Sequence, residues 1–236
     1  MCNKLKKGTG LSMHGFNRKE KTISIDLSGN TPKNTFFDGI EGCLRNDASI
    51  LFFAANSYKS CFNIISKTIA DYFNNEKCPQ KMIEKLILPY YFNFRHFVEL
   101  SLKAIIATIS GYSPETTHKL NALSNRINSL LSDYKYNNAD VIVSEEQFNV
   151  NKQEAMVIFS RLSKMIEEYC NTEPSDEFYR YIFETEGKGN RRHIVLNNPT
   201  ISLNYNDVDK KFHEIETDIY EFCKILSFIK YTYFLI

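Results

Sequence analysis

The sequence predicts a mainly α protein: an up-and-down helical bundle with a small β-hairpin excursion and an irregular N-terminal arm. Apolar residues recur every three or four positions along several long stretches, the spacing of helices that bury one face. Hydrophobic residues make up 43% of the 236 residues and aromatic residues 14%, which is enough for one core. Six of the nine glycines lie within the first 42 residues. We therefore predict an arm over residues 1–45 and a bundle over residues 46–236.

The arm combines basic residues with one strand-like segment. From Thr22 to Leu27, polar and apolar residues alternate, which is typical of a short strand. Six cations precede this segment: Lys4, Lys6, Lys7, Arg18, Lys19 and Lys21. Charge runs of this kind usually face water, which favours a solvated terminus over a nucleic-acid-binding arm.

Two long helices are predicted first in the bundle. The second covers about residues 80–110 and stops at Gly111, a residue suited to a helix end. Because Pro89 lies inside this second helix, we expect a kink or a break just before it. The first helix begins near Asp47, and its apolar stripe consists of Leu51, Ala54, Tyr58, Phe62, Ile65, Ile69 and Tyr72.

Three further helices are predicted from local start signals. The third begins at Ser113-Pro-Glu115, where the proline suits the first helical position. The fourth opens with a capping-box pattern, Ser144-Glu-Glu-Gln147. The last begins at about Asp207, with Asn206 as its cap, and runs to the C-terminus.

Residues 176–205 break the helical spacing between the last two helices. The segment Phe178-Tyr-Arg-Tyr-Ile-Phe183 is aromatic and β-prone, and Glu186-Gly-Lys-Gly-Asn190 is typical of a turn. We therefore expect a small β-hairpin or an irregular excursion there.

Charge and cysteine content disfavour several classes of protein. The 29 Lys and Arg residues nearly balance the 28 Asp and Glu residues, so the overall charge gives no argument for nucleic-acid binding. The six cysteines form no Cys-x-x-Cys pair, which disfavours a zinc site or a disulfide framework and favours free thiols. No signal-peptide pattern and no apolar run of membrane-spanning length is found. We expect a cytoplasmic protein with no membrane partner.

The most informative stretch places four ionisable residues on one sector of the second helix. At about 100° per residue, counted from Arg95, Glu99 lies at about 40°, Lys103 at about 80° and His96 at about 100°. One interpretation is a solvated ladder of i,i+4 pairs, which is common on exposed helix faces. The other is a site in which His96 acts as acid–base group, Glu99 orients it, and Arg95 and Lys103 hold a phosphate.

The residues of this stretch also carry a family resemblance. The segment Pro89-Tyr-Tyr-Phe-Asn-Phe-Arg-His-Phe-Val-Glu-Leu-Ser-Leu-Lys103, followed by Thr116-Thr-His-Lys-Leu120, resembles the HEPN superfamily of helical-bundle proteins. It is similar in particular to uncharacterised bacterial members with an Arg-His-x-x-Glu-Leu-x-Leu-Lys helix. Phe178-Tyr-Arg-Tyr181 and the final helix are similar too, so the resemblance spans roughly residues 47–230.

The resemblance implies a prokaryotic intracellular protein. Many HEPN members are metal-independent ribonucleases that act as toxins or in phage defence, usually as dimers with the site at the dimer interface, whereas others bind nucleotides or only scaffold. The nuclease members carry an Arg, then four to six intervening residues, then a His, and none of the eight arginines here is followed by a histidine at that spacing. Any catalysis must therefore use another arrangement, for which the candidates are Arg95, His96, Glu99, Lys103 and His118.

His118 and the glycine-rich turn also have structural interpretations that involve no function. His118 could simply be an exposed histidine near a helix end. The glycine-rich turn could touch phosphate or could be an exposed hairpin tip, and it is not a P-loop. Two His-x-x-Glu pairs, His96–Glu99 and His213–Glu216, reverse the Glu-x-x-His order of di-iron bundles, so we predict no metal and no cofactor. The predicted substrate-binding residues are Arg180, Tyr181, Lys188 and Arg191.

Two functional hypotheses follow from these patterns. The leading one is a HEPN-like protein that engages RNA or a nucleotide, with metal-independent ribonuclease activity in a toxin or phage-defence setting. The alternative is a non-catalytic module that dimerises or binds a partner, with the charged sector as a structural ion network. The expected partners are a second copy of the chain in a homodimer, RNA or a nucleotide, and a protein encoded in the same operon.

Overall fold

The computed structural model describes the chain in nine segments: residues 12–17, 22–26, 47–74, 80–111, 116–137, 143–172, 183–186, 190–193 and 204–229. Its five helices are α1 (Asp47–Phe73), α2 (Gln80–Ser110), α3 (Leu120–Asp133), α4 (Glu145–Thr172) and α5 (Tyr205–Ile229). The predicted mainly α class is confirmed.

Four short strands form two antiparallel pairs. The strand β1 (Ser12–Asn17) pairs with β2 (Thr22–Asp26), and β3 (Phe183–Glu186) pairs with β4 (Asn190–His193). The described side-chain contacts of the bundle come from the segments between residues 47 and 172 and from residues 204–229, and these segments contain no strand. The expected β-hairpin excursion is therefore not confirmed as part of the bundle.

Successive helices pack against each other in chain order. The helix α1 packs along α2, α2 against α3, α3 against α4, and α4 against α5. Hydrogen bonds from Ser66 of α1 and Tyr90 of α2 to Asp209 bring α5 back to the first two helices. This order agrees with the up-and-down bundle that the sequence predicts.

Stacked aromatic rings form the centre of the core. Phe94 of α2 and Phe212 of α5 lie with ring centroids 3.7 Å apart and planes 2° apart. Phe62, Tyr90 and Tyr169 bring α1, α2 and α4 to the same cluster. The apolar side chains of α5 at steps of three and four are buried, because side chains at this spacing share one helix face: Phe212, Ile215, Ile219, Phe222, Leu226 and Ile229.

The helix α2 continues through Pro89 without a break. The break allowed by the sequence is therefore wrong. Pro89 is exposed, so the hydrogen bond that its ring removes lies on the solvent side of the helix. The side-chain amide of Asn93 donates to the backbone carbonyl of Pro89 at 2.6 Å. Gly111, at φ 70°, ends the helix as predicted.

Two of the predicted helix starts are wrong. Residues 116–119 are not helical, and α3 begins only at Leu120, later than the Ser113-Pro-Glu115 signal. The helix α5 begins at Tyr205, where Asn204 accepts a hydrogen bond from the amide of Asn206. The start of α4 is confirmed, since Ser144 accepts a hydrogen bond from the amide of Gln147.

No helix among the described residues is both long enough and apolar enough to cross a membrane.

Candidate functional site

The ionisable sector of α2 is buried. The exposed fraction is 1% for Arg95, 2% for Glu99 and 7% for both His96 and Lys103. The interpretation as a solvated ladder is therefore wrong. Charged groups this deep need partners, because removing a charge from water is costly.

The carboxylate of Glu99 is the centre of the cluster. Its Oε2 lies 3.3 Å from Nη1 of Arg95. Its Oε1 lies 3.0 Å from Nζ of Lys103 and 2.8 Å from Nδ1 of His118. Three donors thus surround one buried carboxylate, and we refer to these four residues as the Glu99 cluster.

These donors keep Glu99 ionised. Burial acts to raise the pKa of Glu99, but the hydrogen bonds from His118 and Lys103, together with their positive charges, outweigh burial. The pKa therefore lies below its ordinary value of 4.5. Arg95, Lys103 and the Glu99 carboxylate together carry a surplus of one positive charge, before any charge on the imidazole is counted.

His118 enters the cluster from the segment that precedes α3. Nη2 of Arg95 donates to the backbone carbonyl of His118 at 3.1 Å, so Arg95 contacts both Glu99 and His118. Next to it, the hydroxyl of Thr117 accepts a hydrogen bond from the amide of Lys119. The His118 side chain is 52% exposed, whereas that of Glu99 is 3% exposed. The imidazole therefore lies where the buried cluster meets solvent.

His96 makes hydrogen-bond and ring contacts to residues outside the Glu99 cluster. Its Nδ1 is 3.1 Å from the carbonyl oxygen of Phe92, one helical turn earlier. Its ring packs against those of Phe92 and Tyr58, at centroid distances of 4.2 and 5.0 Å. The prediction that His96 shares one site with Glu99 is not supported by these contacts, because a step of about 100° turns His96 toward α1.

The hydrogen bond to Glu99 leaves Nε2 of the His118 imidazole available for proton transfer. When Nδ1–H donates to the carboxylate, the lone pair of Nε2 is the one that can accept a proton. A buried carboxylate behind a histidine fixes the tautomer and stabilises the imidazolium. The Glu99–His118 pair can therefore serve as a general acid–base group.

The side chains of the four predicted substrate-binding residues lie outside the described part of the structure. Arg180, Tyr181 and Lys188 lie outside the described residues, and Arg191 is described only as part of β4, where it pairs with Thr185. No group of three or more His, Cys, Asp or Glu side chains in the described segments could hold a metal ion.

Two described cavities lie elsewhere in the bundle. One lies at the junction of α1, α2 and α5, and the other lies between α4 and α5. Neither is lined by a residue of the Glu99 cluster. Because His118 alone of the four is substantially exposed, any ligand of the cluster must meet it at the imidazole.

Sequence reasoning missed a second ion pair, in which the carboxylate is buried and the guanidinium is exposed. Asp218 of α5 is 4% exposed and accepts two hydrogen bonds from Arg161 of α4, from Nε at 2.7 Å and from Nη2 at 2.5 Å. A signal was present, because Asp218 lies at helical spacing between the buried Ile215 and Phe222. A polar residue inside an apolar stripe predicts a buried partner.

Together these features define a mainly α helical bundle with a buried, carboxylate-centred ion cluster that reaches solvent at one histidine. No protein-family model, curated protein or solved structure matches the chain. The resemblance to the HEPN superfamily therefore depends on the sequence motifs alone and stays a prediction.

Proposed function

We propose that this chain is a HEPN-like protein that engages the phosphate groups of RNA or of a nucleotide, with His118 as the side chain that meets the phosphate. The observation that carries the proposal is the 2.8 Å hydrogen bond from Nδ1 of His118 to the buried Glu99 carboxylate. The reaction that we propose is metal-independent RNA cleavage, in a toxin or phage-defence setting.

The chemistry needs only a proton acceptor and a proton donor next to the phosphate. Nε2 of neutral His118 accepts the proton of the 2′-hydroxyl, whose oxygen then bonds to the adjacent phosphorus. The bond from phosphorus to the 5′ oxygen breaks, and the imidazolium returns a proton to that leaving oxygen. A histidine suits both halves of this exchange, because its ordinary pKa is about 6.5.

The buried members of the Glu99 cluster would act through His118. Glu99 holds the imidazole in one tautomer and stabilises its protonated form. Arg95 contacts both the carboxylate and the backbone of His118, which makes it a positioning residue. The sequence-based role of Arg95 as a direct phosphate ligand does not fit a side chain that is only 1% exposed.

A cleavage assay with a matched control tests the proposal. His213 and Glu216 of α5 form a pair with the same 2.8 Å Nδ1–carboxylate contact, and the His213 side chain is 43% exposed. The full chain, in the presence of EDTA, is incubated with end-labelled RNA. We expect His118→Ala to slow cleavage by about 10²–10⁴-fold, the range for a lost acid–base group, and His213→Ala to leave it unchanged.

The outcomes distinguish the two parts of the proposal, which are RNA cleavage and phosphate binding. Equal cleavage by wild type and His118→Ala would exclude this site as catalytic. If the wild type does not cleave, fluorescence anisotropy with labelled RNA and with a labelled nucleotide tests binding alone. Binding that is weakened by His118→Ala and kept by His213→Ala supports phosphate engagement without catalysis, whereas no binding by the wild type contradicts both arms.

A second candidate function is a non-catalytic module that dimerises or binds a partner protein. It is favoured by the near-complete burial of Arg95 and Glu99, which contact each other as the members of a structural ion network would. Exposed apolar side chains on α1, namely Ile50, Phe53 and Ile64, support a contact with a second copy.

Sedimentation equilibrium over a range of concentrations tests the second candidate. We expect a concentration-dependent homodimer that Ile64→Glu weakens and that Val157→Glu, an equally exposed apolar site on α4, leaves intact. Co-expression with proteins encoded in the same operon tests for a heteromeric partner. A chain that stays monomeric and binds no such protein contradicts this candidate.

A further inference from the structure

The cavity at the junction of α1, α2 and α5 has no part in the proposed function. Its volume is about 290 Å³, near the lower end of the range for ligand sites and roughly twice that of an engineered cavity that holds benzene. One or two fused rings therefore fit inside it. We refer to it as the three-helix cavity.

The inner wall of the three-helix cavity is apolar and partly aromatic. Its most buried apolar lining residues come from all three helices and are each less than a tenth exposed: Phe52, Phe97, Ile219 and Cys223. Flat rings such as those of Phe52 and Phe97 favour a planar apolar ligand, through stacked or edge-on contacts.

Two polar side chains select the ligand further. Ser101 lines the cavity and is 1% exposed. Its hydroxyl is a polar group that can donate a hydrogen bond to, or accept one from, a ligand oxygen. Lys59 also lines the cavity, with 26% of its side chain exposed.

Lys59 retains the capacity to bind an anion. Its ammonium lies 4.0 Å from Glu216, beyond hydrogen-bond distance. Glu216 is engaged more closely by His213 at 2.8 Å and by Asn63 at 3.4 Å. A ligand carboxylate could therefore take hydrogen bonds from Lys59 that Glu216 does not take.

We infer that the three-helix cavity binds a small aromatic carboxylate, whose ring lies between Phe52 and Phe97 and whose carboxylate pairs with Lys59. This inference is independent of the proposed function, because none of its residues belongs to the Glu99 cluster.

Three probes with the same ring test the charge requirement. These are 1-naphthoate, the neutral naphthalene-1-methanol and the cationic 1-naphthylmethylamine, each titrated into the full chain by calorimetry. We expect saturable binding of one naphthoate per chain, at least about tenfold tighter than that of the alcohol. Tighter binding of the amine would overturn the inference, because Glu216 would then be the anchor, and so would the absence of saturable naphthoate binding.

Paired variants locate the binding site. Lys59→Met removes the ammonium and keeps most of the apolar stem. We expect it to weaken naphthoate binding about tenfold and to leave the alcohol unaffected. The control is Lys67→Met, which changes an exposed lysine on the same helix that does not line the cavity. Equal affinities of the two variants for naphthoate would contradict the inference.

A measurement on the wild-type chain avoids any folding defect of the variants. Ile219 lines the cavity, whereas Ile64 is exposed on α1. In NMR spectra of the wild-type chain, bound naphthoate should show intermolecular nuclear Overhauser effects to the methyl groups of Ile219 and none to those of Ile64. The absence of these effects to Ile219 at a saturating probe concentration would place the ligand elsewhere and overturn the inference.

Discussion

The guanidinium of Arg95 donates a hydrogen bond to the backbone carbonyl of His118, 23 positions later in the chain, at 3.1 Å. The same side chain contacts Glu99, which in turn accepts a hydrogen bond from the His118 ring. The segment before α3 is therefore held to α2 both through its backbone and through a side chain. Stability and the placement of the imidazole depend on the same contacts.

Replacing Arg95 should destabilise the protein strongly. Arg95→Met keeps much of the side-chain volume but leaves a buried carboxylate with fewer donors, and breaking a buried ion pair costs about 3–5 kcal/mol. Urea unfolding measures the change in the free energy of unfolding. The control is Lys85→Met, at an exposed position on the same helix, which should change that free energy by less than about 0.5 kcal/mol. Similar losses for the two variants would show that the cluster contributes little to stability.

The cluster should also make stability depend on pH. Because the folded pKa of Glu99 lies below its ordinary value of 4.5, the ionised form stabilises the native state. This contribution is fully present above about pH 4.5 and is lost as the pH falls through the folded pKa. The stability advantage of the wild type over Glu99→Gln should therefore shrink between pH 5 and pH 3, as measured by urea unfolding at each pH. An advantage that stays constant over this range would contradict the prediction.

The spacing of apolar residues predicted the helices, because the residues that recur at helical spacing are those that a helix buries. The apolar stripes of α1 and α5 appear in the sequence at steps of three and four, and Phe62 and Phe222 are fully buried. Other members of the predicted α1 stripe, such as Leu51, are only partly buried. The helix ends were harder to predict, because capping depends on local hydrogen bonds. Asn204 and Asn206 are equally good caps in the sequence, and only the structure distinguishes them.

The Glu99 cluster was predicted in part. The i,i+4 spacing of Arg95, Glu99 and Lys103 follows from helix geometry and is present in the structure. The position of His118 next to Glu99 could not be predicted in this way. The rotation of about 100° per residue applies only inside a helix, and His118 precedes α3. Contacts between a helix and an irregular segment depend on tertiary packing, which a single sequence does not give.

The aromatic stack should be the largest single contribution to the core from α5. Phe212→Ala removes a ring that stacks on Phe94 at 3.7 Å and also contacts Tyr169, so it should cost about 3–5 kcal/mol. The matched control is Phe228→Ala on the same helix, where the ring is 46% exposed. Thermal and urea unfolding of both variants measure the difference. A comparable cost at the two positions would mean that the stack does not anchor α5.

The Arg161–Asp218 pair should connect α4 to α5 with a smaller energy. The Arg161 side chain is 55% exposed and that of Asp218 only 6%, so Arg161→Met leaves a buried carboxylate without its two-pronged donor. A buried acceptor left unsatisfied costs about 1–3 kcal/mol, and we expect a loss of unfolding free energy in that range. Lys164→Met, at an exposed position of the same helix, is the control and should be nearly neutral. Adding Asp218→Asn to Arg161→Met should recover part of the loss, because the neutral amide is less costly to bury. A double variant less stable than either single variant would show that the two side chains contribute independently.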